Sequence, residues 1–315
     1  MRLPWSHQTW VHNTMTEQEL TEAVHQLILE SAPERRDELE NLWNKYSPTF
    51  ARASDEAGFK MEGGPWGLVL FTPRTTGQIW ILGFAAWRAF EAYCPYVFLR
   101  IPIAPSAMSD DQNQVKAEKA LSDDLRKVRE LKEIQNLEEF TWPSDMPEPG
   151  PALPATTRER AIVDLIKIAT AFTFLHEVRH AMFIGDGNSP SKLDEEQECD
   201  RFARDFLLEK VSEYCASTHY DQEGVLKKRL MGIILGAFVI LEITPGEKRR
   251  GTDEHPPVAA RFRSLIQEEN YKAGEHVWIY VCSLMLGTLR EEGKLPPVIP
   301  FRASQDLFDQ LVALL

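Results

Sequence analysis

Cysteine is scarce. The chain of 315 residues has four, Cys94, Cys199, Cys215 and Cys282, far apart and with no C-x-x-C pair. They read as reduced thiols in apolar surroundings, and the chain as cytoplasmic. Long hydrophobic runs are missing too. The longest, Leu230 to Leu241, falls short of the ~20 residues that span a bilayer, which excludes stable membrane insertion. The first residues, Met1 to His7, lack the apolar core of a secretory signal. Positive charge is in deficit, with 35 Lys and Arg against 48 Asp and Glu and a net charge of −13. The two basic clusters, Lys227-Lys228-Arg229 and Lys248-Arg249-Arg250, are not interleaved with aromatics. An acidic chain of this kind repels phosphate backbones, so nucleic acid is excluded as a partner. No internal repeat is found.

The chain does have the composition of a folded globular protein, with 43% hydrophobic and 26% charged residues. From Thr16 to Tyr46 apolar residues recur at helical spacing, and Pro33 divides the stretch into two helices. Gly67–Thr72 and Gln78–Leu82 read as short strands joined by a turn at residues 73–77, and Tyr96–Ile101 as a third. A helix covers Phe84–Tyr93 between them, and an exposed, charge-laced helix covers Gln114–Glu139. Five prolines crowd residues 142–154, which can continue neither a helix nor a central strand. The expected organisation is therefore an N-terminal helical and small-sheet region (1–141), a proline-rich linker (142–155) and a helical region (156–315). The tryptophans Trp66, Trp80 and Trp87 read as core.

Past the linker, Thr156-x-x-Glu159 forms a capping box that opens a helix. Ile162, Leu165, Ala169, Phe172, His176 and His180 recur along one face of it. That face holds His176-Glu177-Val178-Arg179-His180, an H-E-x-x-H motif. Residues i and i+4 sit one above the other on a helix, so two imidazoles there can ligate one zinc ion. The intervening Glu177 stands beside the metal, placed to take a proton from a bound water and return it to a leaving amine. Five residues with three fixed also recur by chance, so the context decides.

That context is a second amphipathic helix over Leu193–Leu208. Glu196 lies at one edge of its apolar face, Asp200 one turn later and Glu195 at the opposite edge, while Glu198 belongs to a solvated stripe. Glu196 is the expected third zinc ligand, with Asp200 holding a ligand imidazole by a hydrogen bond. Glu195 and Glu198 remain the other choices of ligand. The run Leu230–Leu241 carries Gly232 and Gly236 one helical turn apart. It reads as a buried helix that approaches the H-E-x-x-H helix closely.

The motif pair is similar to compact gluzincin peptidases, including the ImmA/IrrE type, and more closely to the phage-exclusion peptidases typified by Lit. The matching stretches are Gln78–Trp87, Phe174–Phe183, the Asp200 segment and Asp253–Arg261. The resemblance implies an α+β, zincin-like fold with a mainly helical catalytic half and a small N-terminal sheet. It further implies a cytoplasmic zinc endopeptidase, activated by a phage peptide, whose protein substrate is elongation factor Tu. A substrate-aligning edge strand would come from Gln78–Leu82 or Tyr96–Ile101. His255, pinned by Pro256 and Pro257, either donates to the oxyanion or merely precedes a helix. Arg261 either contacts substrate or oxyanion, or forms a salt bridge. The rival function is a non-catalytic binding or sensor protein with a structural zinc, which a fourth Cys or His ligand would favour.

Overall fold

Threonine capping boxes open two of the helices. In the computed structural model, which describes residues 15–54, 58–104, 111–150, 154–266 and 274–315, Thr16 and Thr156 each accept from the third residue of the following helix. Glu19 and Glu159 reciprocate. Thr16 opens α1 (Glu17–Ser31). A 3-10 turn at Pro33–Arg35 separates it from α2 (Arg36–Tyr46). There follow β1 (Thr49–Arg52), β2 (Met61–Gly63) and β3 (Leu68–Phe71), then α3 (Pro73–Phe98) and α4 (Gln112–Glu133). Thr156 opens α5 (Thr157–Gly185). After it come α6 (Lys192–Leu208), α7 (Val211–Thr218), α8 (Gln222–Ile243), α9 (Val258–Ile266), α10 (Glu275–Glu291) and α11 (Ser304–Val312).

The fold is α+β, mainly helical with one small sheet near the N-terminus, as the resemblance implied. Its strand order is β1-β3-β2, parallel between β1 and β3 and antiparallel between β3 and β2. Only the expected strand over Gly67–Thr72 is found there. Gln78–Leu82 and the start of Tyr96–Ile101 belong to α3 instead, and so does the expected turn at 73–77. Thr72 caps that helix by accepting from Thr75, and Pro73 occupies its first position. The reason for the misreading is burial. α3 packs against α4, α5, α8 and α10, so it is apolar nearly all round and shows a continuous run rather than a helical stripe. The charged helix α4 ends at Glu133, short of Glu139. Trp80 is buried, but Trp66 is 91% exposed.

At the centre lies α5, in contact with α1, α3, α6, α8 and β2. The glycines of α8 make its approach possible. A Cβ on Gly232 would meet Ile168 at 2.4 Å and one on Gly236 would meet Phe172 at 2.7 Å. Residues 1–14, including Met1–His7, and Pro151, Ala152 and Leu153 of the proline-rich stretch lie outside the described residues. Among the described residues no helix is long and apolar enough to cross a membrane, and the four cysteines are free.

Candidate metal centre

The last turns of α5 and the first turns of α6 bring His176, His180, Glu195, Glu196 and Asp200 together. His176 Nδ1 bonds Asp200 Oδ1 at 3.0 Å, and His180 Nδ1 bonds Glu195 Oε1 at 2.7 Å. Carboxylates on both Nδ1 atoms make those nitrogens the donors, so that in the neutral imidazoles it is Nε2 that carries the lone pair. The two Nε2 atoms face each other at 3.2 Å. Glu196 completes the triangle, with Oε2 3.6 Å from His176 Nε2 and Oε1 3.5 Å from His180 Nε2. Nitrogen or oxygen ligands at ~2.0–2.1 Å from a tetrahedral zinc stand ~3.3 Å apart. The three separations therefore fit one shared ion.

Charge points the same way. Glu177, Glu195, Glu196 and Asp200 crowd the two imidazoles, and the buried cation among them, Arg261, is already committed. Burial would push the His176 imidazole down, but hydrogen bonds to Asp200 and Glu196 outweigh it and carry it up to about 10. Against the same opposing burial, Glu196 and Glu195 raise His180. Glu196 is itself buried, yet its imidazole partners hold it far below the ordinary carboxylate range. A cluster that draws protons this strongly is one that a divalent cation would neutralise.

Cys199 lies between these acids on α6. Its Sγ and one nitrogen of each ring are within 4.8 Å of one another, a His-His-Cys group that is a second candidate donor set. Burial and the neighbouring carboxylates push its thiol up, which disfavours the thiolate a metal requires. Glu196 presents one oxygen to each Nε2.

Arg261, on α9, donates from Nε and Nη2 to the two oxygens of Asp200, at 2.7 and 2.6 Å, and lies 3.4 Å from Glu196. This is the salt-bridge reading of that residue. His255 precedes α9, as expected of a residue before Pro256-Pro257. It also stands at the site, 59% exposed, with Nδ1 3.3 Å from Glu196 Oε1. Thr252 pins it by accepting from its N–H and donating to its carbonyl. Glu198 points elsewhere, onto Arg179 and Arg201.

Glu177 Oε2 accepts from Gly63 N at 2.7 Å. Burial pushes this carboxyl up, opposed by the imidazoles and that N–H. A Cβ on Gly63 would lie 2.5 Å from the Glu177 carbonyl oxygen, so glycine is what lets β2 touch the motif helix. Lys60 and Gly64 bond toward β3. By the alternation of a strand, the main-chain groups of Met61 and Gly63 point the other way, into the site. The edge strand beside the site is thus β2, not either of the segments expected from sequence. Sequence reasoning also missed Glu195 as the partner of His180. Its one available signal was adjacency to Glu196, and Gly63 offered none.

A cleft crosses the motif helix. On one side of Glu177 and His255 is a pocket of about 330 Å³ whose walls include Phe59, Phe172, Val239, Ile240 and Ile243. On the other is a trough of about 710 Å³ bordered by Ile184, Asn188, Ser189, Lys192 and Glu254. No curated protein and no solved structure matches the chain. The profile described as Peptidase U49 matches residues 69–281, more than half of the sequence.

Proposed function

Because the chain belongs to the peptidase U49 family, we propose that it is a zinc-dependent endopeptidase with His176, His180 and Glu196 as ligands and Glu177 as general base. The observation that carries this reading is the triangle of two free Nε2 atoms and the Glu196 carboxylate, with Glu177 beside it.

A zinc ion held there would polarise the scissile carbonyl and bring the pKa of a bound water down toward ~7. Asp200 and Glu195 orient the two imidazoles, and Arg261 holds Asp200 in turn. Glu177 accepts the proton of the attacking water on the oxygen that Gly63 leaves free, then delivers it to the departing amine nitrogen. His255, exposed at the junction of pocket and trough, donates to the carbonyl oxygen as negative charge develops on it. Met61 offers its outward N–H and C=O to the substrate backbone, which lies along β2 as an added strand.

The Lit-type resemblance makes elongation factor Tu the substrate to test first, with a phage peptide as activator and cytoplasmic phage defence as the setting. Wild type and Glu177→Gln are expressed, alone and during phage infection, and growth is followed while new protein termini are mapped. The substitution is expected to keep zinc and abolish both cleavage and arrest. Arrest by Glu177→Gln as strong as that by wild type would show that proteolysis is not the function. Cys199 favours a second reading, a non-catalytic protein whose zinc is closed by four protein donors. In that case Cys199→Ala would release the metal, whereas the peptidase reading expects it to be retained.

A further inference from the structure

The turn that joins β2 to β3 carries an aromatic ring into solvent. Trp66 is 91% exposed, and its backbone is left-handed, at φ 56° and ψ 29°. That region is an outlier for a bulky residue, and glycine enters it freely. Single exposed apolar residues are ordinary, so what distinguishes Trp66 is its support. Gly64 N donates to the Leu68 carbonyl at 2.7 Å and Leu68 N donates to the Pro65 carbonyl, which closes the turn. Pro65 fixes its start. A Cβ on Gly67 would lie 2.7 Å from the Tyr46 carbonyl oxygen, and one on Gly185 would lie 3.2 Å from the Tyr46 ring. The Tyr46 hydroxyl donates to Asp186 at 2.8 Å, and Lys45 donates to the same carboxylate. The turn is thus seated where the ends of α2 and α5 meet, and it holds the indole out rigidly.

We propose that Trp66 is an exosite for the substrate protein, taking an apolar side chain several residues away from the bond that is cut. The inference rests on the peptidase reading above, and the place of the turn carries it. Met61 borders both the pocket and the trough, whereas Gly63 borders only the trough. From Met61 to Gly63, then, β2 leads outward along the trough. Trp66 follows Gly63 by three residues, at most ~10 Å of chain. Its turn shares Tyr46 with Gly185, next to Ile184 on the trough's border. A substrate strand added to β2 therefore leaves the site toward this ring. Ile184 is itself 46% exposed and offers apolar surface along the same path. A substrate side chain that covers the indole gains a large contact area, while a ring already fixed by its turn loses little freedom. Stability gives no competing account of the residue. So exposed a ring adds little to the core, and glycine would suit its backbone better.

The test uses the full chain loaded with zinc and needs no activator. Peptide hydroxamates built from Gly and Ser carry a single phenylalanine, moved outward residue by residue, with one series extended on each side of the chelating group. In one series wild type is expected to bind at least ~10-fold more tightly with phenylalanine than with serine, the effect of a buried aromatic anchor. The gain should peak roughly three to five residues out, where the chain reaches the turn. Trp66→Gly and Trp66→Asn, both suited to a left-handed backbone, should lose the gain while melting no lower than wild type. Trp66→Phe should keep part of it. A gain absent from wild type, or one that survives in both Trp66→Gly and Trp66→Asn, would overturn the exosite while leaving the metal site intact. A marked fall in melting temperature in both would overturn it too, by making the ring a structural group. So would a dimer, or attachment to anionic phospholipid vesicles, that Trp66→Gly abolishes without changing hydroxamate binding. Absence of zinc uptake, or of any hydroxamate binding to the loaded protein, would instead remove the peptidase reading itself.

Discussion

Glu195, Glu196 and Asp200 carry the same charge within six positions, yet each faces a different atom. Glu196 meets both free Nε2 atoms, Glu195 holds His180 Nδ1, and Asp200 holds His176 Nδ1 together with Arg261. Substitution should separate them. Glu196→Gln is expected to remove most of the zinc, as His176→Ala or His180→Ala would. Glu195→Gln and Asp200→Asn should each weaken zinc by ~10–100-fold, the usual effect of losing the group that orients a ligand. Metal content after competition with a chelator gives the ranking. Heat unfolding then separates the last two. Asp200→Asn takes the paired carboxylate from the buried Arg261, a loss of about 3–5 kcal/mol for a broken buried pair, whereas the cation that Glu195→Gln leaves behind is the exposed Lys192. Equal melting temperatures would mean that Arg261 finds another partner. At this scale the H-E-x-x-H motif and the pairing of Glu196 with Asp200 were legible, because helical spacing alone places them. The task of Glu195 was not, because the phase of α6 cannot say how far its edge turns toward α5.

Between elements the decisive contacts are those that glycine permits. β2 reaches the motif helix because position 63 has no side chain, and α8 packs against it at Gly232 and Gly236, where a Cβ would clash. Gly63→Ala should therefore retain zinc while lowering cleavage by ~100-fold, the order expected when a reacting group is misplaced by about 1 Å. The change should fall mainly on kcat, since the added Cβ presses hardest on Glu177, 2.5 Å from its carbonyl oxygen, and less on His180, whose Cβ lies 3.0 Å away. Wild-type turnover with zinc retained would show that the Gly63–Glu177 bond does not position the base. Gly232→Ala lies far from the chemistry and should instead cost stability, about 1–3 kcal/mol for an overpacked core, read as a lower melting temperature at unchanged zinc content. The spacing of the two glycines announced the packing of α8, but nothing in the sequence announced β2. Its three residues are too few for an alternating pattern, and the apolar run that looked like a second strand is a helix buried among four others. Local periodicity reports the environment of a segment, and a segment enclosed by neighbours carries no periodicity to report.

Across the whole molecule, buried apolar residues from Leu20 in α1 to Val312 in α11 join in one continuous core cluster. Trp142 and Met146 of the proline-rich stretch belong to it, and Trp80 Nε1 donates to the Pro147 carbonyl from inside α3. Contacts of that kind join the regions before and after residues 142–155, so calorimetry should show one cooperative transition, whereas two resolved transitions would support the division expected from the prolines. Zinc should act on the same transition. The metal cluster ties α5 to α6 at the centre of the core and, as it stands, concentrates four carboxylates around two imidazoles. A ligand that binds only the folded state stabilises it by about 4 kcal/mol at a thousandfold excess over its dissociation constant. In a chain of this size each kcal/mol moves the midpoint by roughly 2 °C, so stripping zinc should lower the transition by about 8 °C and restoring zinc should reverse the change. The double variant His176→Ala, His180→Ala should melt at one temperature with or without zinc. A shift that survives in the double variant would place the stabilising ion elsewhere in the molecule, and the triangle on α5 and α6 would lose its claim to the metal.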